Sequence, residues 1–117
     1  MPNKKKPVKG SEFAALTYHR NNLFGGRALI NPDGSRTTFR GAIVETPDGK
    51  QALIPTYWNG AVRDIPDAVR MAIKSGVEFP VYDTVEDAAE AEQRLHGMME
   101  EDMKIYDRQR SATEDKR

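Results

Sequence analysis

Residues Gly41 to Arg63, GAIVETPDGKQALIPTYWNGAVR, decide the fold. They read as a strand, a Pro47-Asp48-Gly49 turn, a second strand, an Asn59-Gly60 turn and the start of a third strand. Proline presets φ in such a turn, aspartate tolerates the next position, and glycine takes the left-handed one. Asn-Gly is the strongest two-residue hairpin signal. Turns this tight leave antiparallel pairing as the topology. Upstream, Asn31-Pro32-Asp33-Gly34 repeats the first turn between Arg27–Ile30 and Ser35–Phe39, so the strand region extends back to Arg27. Gly41 marks a bulge or bend between the two hairpins. Pro55 cannot donate to a ladder and belongs at an edge or a strand end.

The strands lack clean alternation. Ile43 and Val44 are adjacent, as are Leu53 and Ile54. Neighbouring residues on a strand point to opposite faces, so one face can sit on the chain's own helices while the other needs a cover, the N-terminal arm or a second subunit. Two helices follow. Asp64 caps the first, Pro66 suits its first turn, and Gly76 stops it. Ile65, Ala68, Val69, Ala72 and Ile73 recur at helical spacing. Asp83-Thr84 opens the second, with Glu86 and Asp87 placed for a capping box. Its apolar side is Val85, Ala88, Ala91, Leu95, Met98, Met99 and Met103, and the pattern runs to about Arg108. The expected fold is α+β: a small antiparallel β-meander of 3–4 strands followed by two helices, with an extended N-terminal arm and charged tails. The expected organisation is a basic arm over 1–26, an α+β module over 27–108 and a polar tail over 109–117.

Within the arm, Ser11 is placed to cap a short helix, and Phe13, Leu16, Tyr18 and Phe24 are the side chains with which it would dock. Ahead of it lie Lys4, Lys5, Lys6 and Lys9, the candidate phosphate contacts. Residues 1–50 hold nine Lys/Arg against four Asp/Glu, and residues 51–117 hold nine against fourteen, so a net charge of zero hides a basic first half and an acidic second half. Two solvated charged ends, head-to-tail contact between copies, and an arm on a phosphate backbone all fit that asymmetry.

The 117 residues contain no cysteine, which removes disulfides, thiolate metal sites and a cysteine nucleophile. No apolar run approaches the ~18 residues of a membrane span, and no secretory signal follows the basic start. His19 and His96 are the only histidines, and neither has a second ligand at metal-binding spacing. Asp33 and Asp48 belong to turns, and Asp64, Asp67, Asp83 and Glu86 to helix starts. No nucleophile elbow, P-loop or dinucleotide fingerprint is present. The expectation is therefore no catalytic residue, no metal ligand and no cofactor. Tyr57-Trp58 with Arg63 offers a stacking surface, against the plainer role of Trp58 in the core. The Met98, Met99, Met103 stripe is either an adaptable partner face or the side that packs on the sheet.

From about Arg27 to Glu100 the chain resembles a small module of tailed-phage and prophage virion proteins, found at the end of internal, tail-associated or lytic-enzyme chains. The residues that carry the likeness are Asn31-Pro32-Asp33-Gly34-Ser35, Leu53-Ile54-Pro55-Thr56, Asn59-Gly60, Ala68-Val69, Ser75-Gly76, Tyr82-Asp83-Thr84, Ala88-Ala89 and Leu95-His96. Trp58 and the Asp64-Ile65-Pro66-Asp67 helix start depart from the pattern. The resemblance implies a phage setting, with the chain in the host cytoplasm before assembly and in the virion afterwards. It implies a non-enzymatic structural protein that docks on capsid, portal or tail subunits and repeats by symmetry as a homo-oligomer. Phe13, Leu16, Tyr18, Phe24, Trp58, Met98, Met99 and Met103 are its candidate partner contacts. The alternatives are a nucleic-acid-binding accessory protein using the Lys4–Lys9 arm with Arg20, Arg27, Arg36 and Arg40, and an accessory to a cell-wall-degrading phage enzyme.

Overall fold

The computed structural model describes residues 6–115. Lys4 and Lys5 of the candidate phosphate contacts lie outside them. The order of elements is α1 (Glu12–Phe24), β1 (Leu29–Ile30), β2 (Arg36–Thr37), β3 (Gly41–Glu45), β4 (Gln51–Pro55), β5 (Tyr57–Trp58), β6 (Ala61–Val62), α2 (Ile65–Ser75), β7 (Val81–Tyr82) and α3 (Val85–Asp115). The fold is α+β, with three helices and antiparallel sheets of two or three strands. A helix comes first, which the meander-then-helices expectation did not include.

The strands form three small sheets rather than one meander: β1–β2, β3–β4–β7 and β5–β6. The expected turns join them, with Gly34, Gly49 and Gly60 all at positive φ. The break after β2 has a local cause. Arg40 adopts φ 48, the left-handed region. Its carbonyl accepts from both the backbone N–H and the hydroxyl of Thr56, at 2.9 and 2.6 Å. Those bonds hold the kink and redirect the chain into β3. The bend thus falls on Arg40, one residue before the glycine that sequence suggested.

β4 is the central strand, paired with β3 on one side and β7 on the other. The register sets Ile43 beside Leu53 and Val44 beside Ala52. Pro55 closes β4, where its missing N–H costs least. Leu53 faces α3, beside Leu95 and Met99, while Ala52 and Ile54 face α2, beside Ala72. The two predicted helices therefore cover opposite faces of the sheet. The expectation that one face would await an arm or a second subunit is corrected: a two-faced sheet is closed within one chain.

The short helix expected within the arm forms as α1, capped by Ser11, whose hydroxyl accepts from the Phe13 N–H at 3.0 Å, but it runs on to Phe24 and packs into the fold rather than standing as an extended arm. Ala15, Leu16, His19 and Leu23 are buried. Ahead of α1, Val8 and Lys9 pair antiparallel with Val81, through Val8 N–H to Val81 C=O at 2.7 Å and Val81 N–H to Lys9 C=O at 2.8 Å. Val8 and Lys9 thereby lie along the outer edge of β7. Gly10 permits the approach: a Cβ there would sit 2.1 Å from the Phe79 carbonyl oxygen.

α2 keeps every predicted punctuation mark: Asp64 accepts from the Asp67 N–H at 2.9 Å, proline sits in the first turn, and Gly76 is left-handed at φ 73. α3 begins as read, with Thr84 accepting from the Asp87 N–H at 3.1 Å. It continues past the expected Arg108 to Asp115 and runs through Gly97 as one helix.

Candidate functional site

α1 and α3 lie side by side and run in the same direction. Three contacts fix their register. The Arg94 guanidinium donates to Glu12 at 2.8 Å, Arg20 donates to Asp102 at 2.8 Å, and the Phe24 ring meets Tyr106 edge-on at 5.8 Å. Each pair is 82 residues apart. The charges alternate along the seam, acid-to-base at one end and base-to-acid in the middle, so a slip of one turn would mismatch them. Glu12 also accepts from the Tyr82 hydroxyl at 2.6 Å, which ties the seam to β7. Burial, and then the neighbouring Glu12, push the Tyr82 hydroxyl pKa up.

Beneath the middle of the seam lies a buried polar cluster. His19 has no exposed surface. Its Nδ1 lies 2.5 Å from the Thr38 hydroxyl. Its Nε2 lies 3.2 Å from Asp102 Oδ2, at ion-pair distance but without hydrogen-bond alignment. Arg20 reaches the same carboxylate from the surface. Burial dominates the imidazole and pulls its pKa below the ordinary value, against the opposing pull of Asp102. Hydroxyl, imidazole and carboxylate in line resemble the parts of a nucleophilic relay. With the imidazole sealed and Thr38 and Asp102 buried, the line instead works as a clasp joining α1, the β2–β3 link and α3. Sequence reading saw His19 as unpartnered because its carboxylate stands far along the chain.

The expected partner residues divide sharply. Leu16, Trp58 and Met99 are core side chains, closed to any partner. Trp58 donates its indole N–H to the Pro55 carbonyl at 2.7 Å, so the proposed Tyr57-Trp58-Arg63 stacking surface is absent: Tyr57 is buried too, and Arg63 bonds the Trp58 carbonyl. Tyr18 is half-buried among the rings of Phe39, Trp58 and Phe79, at 4.8–6.1 Å. Its hydroxyl donates to the Tyr57 carbonyl, and burial pushes its pKa up to about 12. Met103 is partly covered and lines a cavity of about 220 Å³ between Arg36–Gly41 and α3.

The remaining three are in solvent. Phe13 is 68% exposed, Met98 46% and Phe24 45%, and Ile105, which sequence reading passed over, is 38% exposed. Phe13 and Phe24 lie three turns apart on one side of α1. Met98 sits one turn from both Arg94 and Asp102, the α3 residues that reach α1, and Ile105 lies two turns beyond it. All four flank the seam between the two helices. An exposed apolar lip of this kind, broken by the Arg20–Asp102 pair, marks a docking surface more readily than scattered apolar side chains do.

Comparison with family models, curated proteins and solved structures found no match.

The arginines of the nucleic-acid reading are mostly engaged. Arg20 holds Asp102, and Arg27 donates to the Asn21 carbonyl at 3.0 Å. Arg36 pairs with Asp107 at 2.8 Å and lies over the Tyr106 ring at 4.9 Å. Arg40 and Lys9 are exposed. Among the described residues, no group of three or more His, Cys, Asp or Glu is placed to hold a metal ion. No helix of the described residues is long and apolar enough to cross a membrane.

Proposed function

We propose that this chain is a non-enzymatic structural component of a bacteriophage particle that docks on a capsid, portal or tail subunit during assembly. The phage setting comes from the resemblance of residues 27–100. The docking role is supported by one observation above the others: Phe13, Phe24, Met98 and Ile105 stand in solvent along the α1–α3 seam while the core beneath them is closed. Four large apolar side chains in one place gain little for the isolated fold. Covered by a partner, each would contribute roughly 1–3 kcal/mol of burial before the costs of association. The Glu12–Arg94 and Arg20–Asp102 pairs that cross the seam give a partner polar groups of both signs, which set orientation more than affinity.

The test is the double variant Phe13→Glu with Met98→Glu, followed by melting of the free protein and by its recovery in purified phage particles. Both residues are exposed, so folding should be unchanged while incorporation falls. Normal incorporation of the variant would reject the seam as the docking face. Absence of the wild-type protein from purified particles would reject the virion assignment.

A further inference from the structure

The two faces of the β3–β4–β7 sheet are closed, but its two edges differ. The outer edge of β7 is lined by Val8 and Lys9 of the same chain. The outer edge of β3 pairs with nothing among the described residues. Burial marks the contrast: Ala52 to Pro55 on β4 are buried, while Gly41 to Val44 on β3 beside them stay partly exposed.

The ladder fixes what the open edge presents. Thr46 donates its N–H to the Lys50 carbonyl at 2.8 Å, and the Arg40 carbonyl accepts from the Thr56 N–H at 2.9 Å. Hydrogen-bonded pairs alternate along an antiparallel ladder. Ala42 and Val44 therefore turn their backbone groups to β4, and Gly41, Ile43 and Glu45 turn theirs outward. Those outward N–H and C=O groups have no partner among the described residues. Unpaired donors and acceptors at strand spacing are matched by another extended backbone. Strand edges are usually blunted by lysine, proline or a bulge. β3, Gly-Ala-Ile-Val-Glu in unbroken register with β4, has none of these.

The ends of the strand name the occupant. The three outward residues are centred on Ile43. A second β3 laid antiparallel about a two-fold axis there sets Ile43 against Ile43 and Gly41 against Glu45 at both ends, so each outward N–H meets an outward C=O. Arg40 and Glu45, at opposite ends of β3, are both exposed, and neither is in an ion pair among the described residues. Arg40 lines the cavity beside Gly41, Leu53 and Leu95, on the α3 side of the sheet. Strand alternation puts Glu45 on that same side, with Gly41 and Ile43. The two-fold thus carries Glu45 of each copy to the Arg40 end of the other, and opposite charges meet twice on one face. A parallel arrangement would set Arg40 beside Arg40 and Glu45 beside Glu45.

We propose that β3 is a self-association edge, pairing antiparallel with β3 of a second copy of this chain about a two-fold axis at Ile43 and joining two three-stranded sheets into one. The contact lies at the sheet margin and does not depend on what docks at the α1–α3 seam.

Wild type, Ile43→Pro, Arg40→Glu, Glu45→Arg and the double charge reversal would be compared by sedimentation equilibrium over a wide concentration range, with melting as the check on folding. Ile43→Pro removes an outward N–H and leaves the donors of the β3–β4 ladder in place. Wild type should dimerise, and Ile43→Pro should weaken the dimer by about tenfold or more. Each single reversal should weaken it, and the double reversal should restore it, because the opposite charges then meet with signs exchanged. The chain has no cysteine, so crosslinking can report the register. Ile43→Cys should oxidise to a covalent dimer and Gln93→Cys, exposed on α3, should not, because a disulfide needs Cα atoms within about 7 Å. A wild-type chain that stays monomeric throughout would overturn the proposal, even if a strand of another protein bound the edge. So would a dimer indifferent to the charge reversals. If Ile43→Pro does not fold, the charge reversals decide alone.

Discussion

The two faces of the β3–β4–β7 sheet are closed by helices of opposite character. On one face α3, backed by α1, buries Leu53, Leu95 and Met99 and encloses the His19–Thr38–Asp102 cluster. On the other, α2 rests on Ala68 and Ala72 and leaves Ile73 in water. The first face is closed against the sheet by large side chains, and its exposed apolar residues lie on the outer α1–α3 seam. The second is sealed by methyl groups, with apolar bulk left over at its margin. Stability should therefore be concentrated on the α3 side of the sheet, and substitutions on the two sides can show the difference.

The largest difference should come from Leu53→Ala. Leu53 has no exposed surface, and the cavity left under α3 should cost about 2–5 kcal/mol. Urea unfolding would measure it, and a loss under 1 kcal/mol, on the order of an exposed-site change, would show that the α3 face is loosely packed. Asp102→Ala should come next. It leaves the His19 Nε2 without its nearby carboxylate and Arg20 without a partner, for about 1–3 kcal/mol. Arg20→Ala should cost less, because that side chain is partly in solvent.

A smaller effect should follow pH. The His19 pKa is lowered in the fold, so between its folded value and the ~6.5 of a free histidine the unfolded chain binds more protons. Stability from this group is complete above ~6.5 and is lost as pH falls from there through the folded value. Urea midpoints near pH 7.5 and near pH 5.5, on either side of that ~6.5 reference, should differ more for wild type than for His19→Gln. An equal drop in both would assign the pH dependence to other groups. The smallest effect should be that of Ile73→Ala. With most of its surface in water, Ile73 should contribute within about 0.5 kcal/mol to unfolding measured at concentrations where the chain is monomeric. A large loss there would place Ile73 in the core and erase the contrast between the faces.

Local chemistry made much of this legible. Asn31–Gly34, Thr46–Gly49 and Asn59–Gly60 turn where their residues require, and Asp64, Pro66 and Gly76 bound α2 because each acts within a few residues of itself. What failed was whatever depended on distant partners. Glu12, Arg20 and His19 read as arm residues because Arg94 and Asp102, which give them meaning, lie at the far end of the chain. The division of the sheet between two helices was equally hidden, since amphipathic spacing says that a helix has a buried side but not which face receives it. Trp58 was ambiguous for a related reason: an aromatic beside a hairpin serves packing or binding alike, and the Pro55 carbonyl that anchors its indole decides for packing. In the seam, Phe13 and Phe24 were singled out as large apolar residues of the arm, which also drew in buried Leu16, and Met98 by its place in the helical stripe, which also drew in buried Met99.

The constant 82-residue offset between α1 and α3 also governs how the molecule comes into being. α1 finds its partner only when α3 has been made. Until then Leu23 and His19 have no seam to enter, and the β7 edge has not yet appeared for Val8 and Lys9. Contacts this remote in sequence must close long loops before they return any energy, which slows folding relative to a chain built from neighbouring contacts. The β3–β4 hairpin, closed by its own turn, can form early. The clasp around His19 should be among the last events. A chain cut short before Asp102 would be left with α1 unmoored and its apolar side open to whatever is nearby.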